Sequence, residues 1–241
     1  MSVGCIIQAR MTSKRFPGKS IAKLEGLEII NHVVYGCLEI DGVDKVIVAT
    51  PPGPAHEPIH QVVKDHFGGD ELMERVLHTY APECDENDVL LRYLLTAEHY
   101  GFVHILRVTA DCPCIQPEPC ELVLNELLKG EVEYVTNSHP KRTLPKGLDC
   151  EGFTIDVLRR ADNHANRASN YEGYVKSIED KAVKKLSIGD YLYDREHVTP
   201  WMQRNIQFKN IVYDEDNSSM NLCVDWPNDI QRLESQIGVL S

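Results

Sequence analysis

The segment Gln8-Ala-Arg-Met-Thr-Ser-Lys-Arg-Phe-Pro-Gly-Lys19 gathers four cations, Arg10, Lys14, Arg15 and Lys19, in one stretch punctuated by Pro17 and Gly18. Such a cluster suits an oligophosphate. A guanidinium fork grips phosphate oxygens bidentately, an ammonium adds a mobile point charge, and the N–H groups of a tight turn supply further donors. The plainer alternative is a solvated basic loop with no ligand. Two familiar phosphate loops do not fit. Gly18-Lys19-Ser20 ends like a Walker A motif, but that motif needs glycine where Ser13 stands, and Pro17 lacks an N–H. No Gly-x-Gly-x-x-Gly opens the first helix, so a dehydrogenase-type dinucleotide site is unsupported.

A second chemical feature is a pair of aspartates. Asp111 follows an apolar run and precedes Pro113; Asp225 follows Leu222-Cys-Val224 and precedes Pro227. At neighbouring strand ends the two form a hard oxygen site suited to Mg2+, which binds through one or two carboxylates plus substrate phosphates. Either aspartate alone reads equally well as a turn or helix cap. Zinc is a poor fit. His56 and His60 share helical spacing, but Pro58 lies between them and no third ligand is near. The eight cysteines are scattered, without a Cys-x-x-Cys pair, and are expected as free thiols of a reduced compartment.

Positioning these residues requires elements that alternate. Val3–Gln8, Lys45–Thr50, His104–Thr109 and Tyr134–Asn137 read as strands, and Met220–Val224 as a further one. Helical spacing marks Ile29–Leu38, Ile59–Phe67, Asp88–Tyr100, Cys120–Leu128 and Gln231–Val239. Strands separated by helices of this length imply right-handed crossovers and a mostly parallel sheet with helices on both faces. Ligands of such sheets bind at the carboxyl ends of the strands. Ala9–Lys19, Pro51–Pro54 and Ala110–Cys114 all fall there.

The 241 residues are read as a single domain, with 150–195 as an acceptor-covering or dimerisation arm that includes the Lys/Glu-rich piece Lys176–Lys185. A net charge of −12 argues against a nucleic-acid surface, yet a few basic residues in one cleft still bind a small anion. No stretch approaches the roughly 20 apolar residues that span a bilayer, so a cytoplasmic chain without a membrane partner is expected.

Six motifs carry a family resemblance. They are Ile6-Ile-Gln-Ala-Arg-Met-Thr-Ser-Lys-Arg-Phe-Pro-Gly-Lys19, Asp88-Val-Leu-Leu-Arg-Tyr93, Arg107-Val-Thr-Ala-Asp-Cys-Pro113, Gly147-Leu-Asp-Cys-Glu-Gly-Phe153, Arg195-Glu-His-Val-Thr-Pro200 and Val224-Asp-Trp-Pro-Asn-Asp229. In this order they resemble the sugar-acid cytidylyltransferases, relatives of the CMP-Kdo and CMP-sialic acid synthetases, and most of all the spore-coat polysaccharide branch. The resemblance implies a three-layer α/β/α fold of the nucleotide-diphospho-sugar transferase kind, with a small arm or insertion in the second half. It implies a nucleotidyltransferase that moves CMP from CTP to a sugar, sugar acid or polyol of surface-glycan assembly, releasing pyrophosphate. Arg10, Arg15 and Lys19 would hold the CTP phosphates, and the Gln8-Ala9-Arg10 backbone would help read cytosine. Met11, Thr12, Ser13 and Arg92 would also border the nucleotide. Asp111 and Asp225 would ligate Mg2+ and, with Arg10 and Lys19, form the catalytic set. Asp149, Glu151, Arg195 and His197, with Glu196, would surround the acceptor. CTP, a small hydroxylated acceptor and a second copy in a homodimer are the expected partners.

The chain departs from the pattern twice. Members of that branch usually carry Arg-Gly-Ser just before the Asp-Val-Leu-x-Arg-Tyr motif, where this chain has Ala81-Pro-Glu-Cys-Asp-Glu86, so that contact is missing or supplied elsewhere. The stretch Asn163–Tyr193 is also longer than usual. A glycosyltransferase of related fold is one alternative, although Asp111-Cys112-Pro113 stands where those enzymes carry Asp-x-Asp. A non-catalytic nucleotide-binding homologue is another, opposed by the intact Arg10, Lys19, Asp111 and Asp225.

Overall fold

The computed structural model describes residues 2–69, 73, 76–169 and 194–240. The chain starts with strand β1 (Val3–Gln8), a basic loop, a 3-10 turn at Lys19–Ile21 and a small hairpin of β2 (Lys23–Leu24) and β3 (Leu27–Glu28). Helix α1 (Ile29–Leu38), β4 (Lys45–Ala49), α2 (Glu57–Phe67), β5 (Leu77–Tyr80), α3 (Val89–Tyr100), β6 (His104–Thr109) and α4 (Pro117–Leu128) then alternate. The remainder comprises β7 (Tyr134–Thr136), β8 (Glu151–Thr154), α5 (Ile155–Ser169), α6 (Pro200–Asn205), β9 (Lys209–Asn210) and α7 (Asn228–Leu240).

The large sheet runs β5-β4-β1-β6-β8-β7-β9. Its pairings are parallel except at β8, which lies antiparallel to both β6 and β7. Period-two alternation sends successive β1 residues to opposite faces. Val3, Cys5 and Ile7 join a core with Ile30, Val33 and Val34 of α1, Ile59 and Val63 of α2, and Val123 and Leu127 of α4. On the other face Ile6 meets Leu90, Tyr93 and Leu94 of α3, and Val157, Leu158 and Ala161 of α5. Each fully buried side chain of this size contributes roughly 1.5–3 kcal/mol, so a sheet covered on both faces is strongly held. The expected three-layer α/β/α architecture is what forms.

The elements unread in the sequence include the sheet strands β5 and β8, the short β2, β3 and β9, and helix α6. Met220–Val224, expected as a strand, is a loop that makes one isolated bridge between Asn221 and Lys146. Its polar groups pair singly with different partners instead of along a ladder. Of the segment expected as an arm, residues 151–169 form β8 and α5, while 170–193, including Lys176–Lys185, lie outside the described residues. No helix among the described residues is long and apolar enough to cross a membrane.

Candidate active site

Gln8 sits in register with Ala49 on one side and Thr109 on the other, so β1, β4 and β6 end level. The Ala9 N–H donates to Ala49 O at 3.0 Å and the Ala110 N–H to Gln8 O at 3.1 Å, which extends the level edge by one residue. The basic loop leaves from this edge and folds back on itself. Gly18, left-handed at φ 73, donates its N–H to Met11 O at 2.8 Å. The Met11 N–H donates in turn to His56 Nδ1 at 3.2 Å. Burial pushes the His56 pKa down, which favours the neutral ring that this acceptor role requires. Ser13 Oγ accepts from the Phe16 N–H at 3.3 Å. Internal ties therefore fix the loop.

The second part of the site comes from irregular chain. The Val224 N–H donates to Asp111 O at 2.9 Å, joining the segment before Asp225 to the turn after β6. Lys146 makes further backbone contacts with residues 220–222: its N–H donates to Met220 O at 3.0 Å and its carbonyl accepts from the Leu222 N–H at 2.6 Å. Gly147 permits this approach. Its φ is 107, and a Cβ there would lie 2.8 Å from the Leu222 carbonyl carbon. Helix α7 braces the far side. Arg232 donates to the carbonyls of Asn221 and Cys223, the latter at 2.9 Å. Asp229 accepts from the N–H groups of Asp225 and Trp226 at 2.8 Å each. A small apolar cluster of Leu24, Ile29, Val224 and Leu233, with Phe16 packed against it, anchors the neighbours of both Arg15 and Asp225.

These pieces converge electrostatically. Lys19 Nζ lies 2.6 Å from Asp111 Oδ2 and 4.0 Å from Asp225 Oδ1. Arg15 Nη2 reaches Asp225 Oδ1 at 2.6 Å, and Lys146 Nζ reaches Asp225 Oδ2 at 2.8 Å. Burial opposes ionisation of Asp111, but the Lys19 ammonium outweighs it and holds the carboxyl below its usual value. The hydrogen bond to Asp225 raises the Lys146 pKa against the opposing effect of burial. The cleft around them has a volume of about 870 Å³, near the upper end for small-molecule sites. Arg10, Lys14, Arg15, Lys19, Arg92, Arg107 and Lys146 line it against Glu86, Asp111, Asp149, Glu196 and Asp225. This cationic excess, on a chain of net charge −12, suits an anionic ligand.

Gln8, Ala9, Arg10, Thr12, Ser13, Arg15, Lys19, Arg92, Asp111, Asp149, His197 and Asp225 all line this cleft. Three expected contacts do not. Met11 packs against the core, and its N–H is taken by His56. Glu151, expected beside the acceptor, is buried behind Arg107, to which it pairs at 2.5 Å while accepting from Tyr134 OH at 2.5 Å. Burial disfavours charge on Arg107, but Glu151 outweighs this and holds its pKa above the usual value. Arg195, also expected at the acceptor, ties Asp88 at the start of α3 (2.5 Å) to Asp162 of α5 (3.3 Å). Asp88 Oδ1 caps α3 by accepting from the Leu91 N–H at 3.0 Å. Both corrections share a cause: a charged residue in a motif finds a distant opposite charge that the sequence does not reveal.

The remaining acceptor-side residues keep access to the cleft. Asp149 is held by a two-pronged contact from Arg142, with Nη2 at 2.8 Å from Oδ2. Val198, buried yet left-handed at φ 64, follows His197 and fixes the bend that brings Glu196 and His197 to the rim. That conformation costs a β-branched residue about 1–3 kcal/mol. Arg92, 2% exposed, donates to Glu86 O at 2.6 Å and leaves Nε without a partner. Glu86 accepts from Thr12 Oγ1, so the stretch that departs from the family pattern also touches the basic loop. Lys146 and Arg107 were missed. Lys146 directly precedes the Gly147–Phe153 motif, and a lysine in a Pro-Lys-Gly turn was an available signal.

The donor set fits a magnesium ion. Two carboxylates reach one ammonium, and no third His, Cys, Asp or Glu joins them in a metal-binding group among the described residues. Magnesium retains waters and takes phosphate oxygens, so two carboxylates serve it where a zinc cage would need more.

A mostly parallel α/β sheet with a basic loop and two carboxylates at its carboxyl edge is an architecture suited to a phosphate-bearing ligand such as a nucleotide. The cytidylyltransferase family model matches residues 4–237, so the chain belongs to that family and is a cytidylyltransferase. It is 33% identical over 213 residues to the 3-deoxy-manno-octulosonate cytidylyltransferase of Serratia proteamaculans, covering 83% of this chain and 79% of that one. A cytidylyltransferase structure from Leptospira borgpetersenii superposes with a TM-score of 0.78 at 25% identity, over 99% of this chain and 87% of that one. The fold is also that of a CMP:2-keto-3-deoxy-manno-octonic acid synthetase solved with CTP, at a TM-score of 0.66 and 15% identity over 100% of both chains.

Proposed function

We propose that this cytidylyltransferase transfers CMP from CTP to a hydroxyl of a sugar acid used in glycan assembly, releasing pyrophosphate. The observation that carries the reading is the convergence of Arg15, Lys19, Asp111 and Asp225 within 4.0 Å contacts at the edge of one cleft. The Serratia relative, which by its name acts on 3-deoxy-manno-octulosonate, motivates the acceptor class.

Arg10, Lys14, Arg15 and Lys19 bind and orient the triphosphate, and the Gln8–Arg10 strand end with Arg92 borders the nucleoside. Asp111 and Asp225 would hold Mg2+, which when bound would supply charge neutralisation at the phosphates. The acceptor oxygen attacks the α-phosphorus as the bond from that phosphorus to the pyrophosphate oxygen breaks. His197, which lines the same cleft as Asp149 and Glu196, takes the hydroxyl proton. No covalent enzyme intermediate forms, and positioning with electrostatic stabilisation provides the catalysis.

The test is pyrophosphate release from CTP and Mg2+ with a panel of sugar acids, neutral sugars and polyols. Release with a sugar acid, and a CMP-linked product by mass spectrometry, is the expected result. Release with none of the panel overturns the reading, and release with polyols alone replaces the acceptor class.

A further inference from the structure

The two oxygens of Asp225 face different groups. Oδ1 takes Arg15 at 2.6 Å and lies 4.0 Å from Lys19, both on the basic loop. Oδ2 takes Lys146 at 2.8 Å, and Lys146 belongs to the segment that continues through Gly147 and Leu148 to Asp149. The carboxylate thus bridges the basic loop and the segment that leads to Asp149, a residue expected at the acceptor, with Lys146 at the junction. In an in-line displacement the leaving pyrophosphate lies on one side and the attacking hydroxyl on the other. The group between them is the α-phosphoryl.

We infer that Lys146 is a catalytic residue that leaves Asp225 to bind the α-phosphoryl oxygens of the bound nucleotide. The inference rests on the nucleotidyl-transfer reading above. Charge favours it: among the described residues Arg15, Lys19 and Lys146 make their ion pairs with two carboxylates, Asp111 and Asp225, so the group carries one more cation than anion. The build favours it as well. The Lys146 backbone is fixed by contacts to Met220 and Leu222, while its side chain, paired at its tip to Asp225, is 47% exposed on a flexible stem. The role needs a short reach from a rigid base.

Lys146→Met and Lys146→Arg test it. Calorimetric titration with CMP and with inorganic pyrophosphate, both in EDTA, reads the phosphate subsites without metal or turnover. Lys146→Met should weaken CMP about tenfold, an expected loss of one charge-assisted contact, and leave pyrophosphate within about twofold. Its kcat at saturating CTP and Mg2+ should fall roughly 10²-fold, as for loss of an electrostatic transition-state contact. Lys146→Arg should recover most of both. A residue that merely neutralises Asp225 predicts the opposite pattern. Its removal would free the carboxylate, lower the Mg2+ concentration for half-saturation, and leave kcat and CMP affinity unchanged; that result overturns the inference. If wild-type protein neither binds CMP nor releases pyrophosphate, the nucleotidyl-transfer reading fails and takes this inference with it. Wild-type turnover with unchanged CMP affinity in Lys146→Met sinks this inference alone.

Discussion

The basic loop and the Asp225 loop meet over the same cleft but are built by different means. The basic loop is contiguous chain following a buried strand, closed by its own Gly18–Met11 contact and steadied by His56. The Asp225 loop has little regular structure of its own. It is held by Asp111, Lys146 and Arg232, from three other parts of the chain. A local device carries the cations proposed to grip phosphate, and a long-range assembly carries a proposed metal carboxylate. The first is expected to tolerate perturbation of its neighbours better than the second.

Substitutions can break or sharpen that contrast. Asp225→Asn, which keeps shape and removes an anionic oxygen, should lower turnover 10²-fold or more, about 2.7 kcal/mol of barrier, with the fold retained. Steady-state kinetics across a Mg2+ titration reads this, and near-normal kcat at low Mg2+ would make Asp225 a simple turn residue. Gly147→Ala comes next. It pushes a Cβ to 2.8 Å from the Leu222 backbone at a φ of 107, so stability should drop by about 2–3 kcal/mol, and turnover with it. Chemical denaturation measures the former. Arg232→Met removes the brace on the Asn221 and Cys223 carbonyls; about 1–2 kcal/mol of stability should go, with a smaller fall in kcat and unchanged CMP affinity. The mildest is Gly18→Ala. Only Met11 Cε lies near, at 3.7 Å, so the left-handed backbone alone costs about 1 kcal/mol, and activity should persist. If Gly18→Ala proved as harmful as Gly147→Ala, the contrast between the two loops would collapse.

The same division explains what could be read in advance. Parallel strands covered on both faces are continuous apolar runs, and His104–Thr109 is bounded in the structure as the sequence suggests. The basic loop was legible because its cations are neighbours in sequence. Strand β5, Leu77-His-Thr-Tyr80, was not, since an edge strand carries polar residues; His78 lies within 3.2 Å of Lys45, and Tyr80 stacks on His99. Strand β8 was hidden behind its own chemistry. Glu151 looks like a ligand until Arg107, 44 positions away, is seen to neutralise it. Arg195 misled for the same reason, its partner Asp88 lying 107 positions back. Local pattern reveals strands and turns, but not which charges will find each other.

The Arg15–Asp225 ion pair joins positions 210 apart in the chain. A polypeptide grows at roughly 5–20 residues per second during synthesis. By the time β8 has emerged, the strands that align the basic loop are complete, yet Asp225 is still several seconds from being made. The carboxylate proposed to complete the metal site is therefore the last part of the cleft to be synthesised.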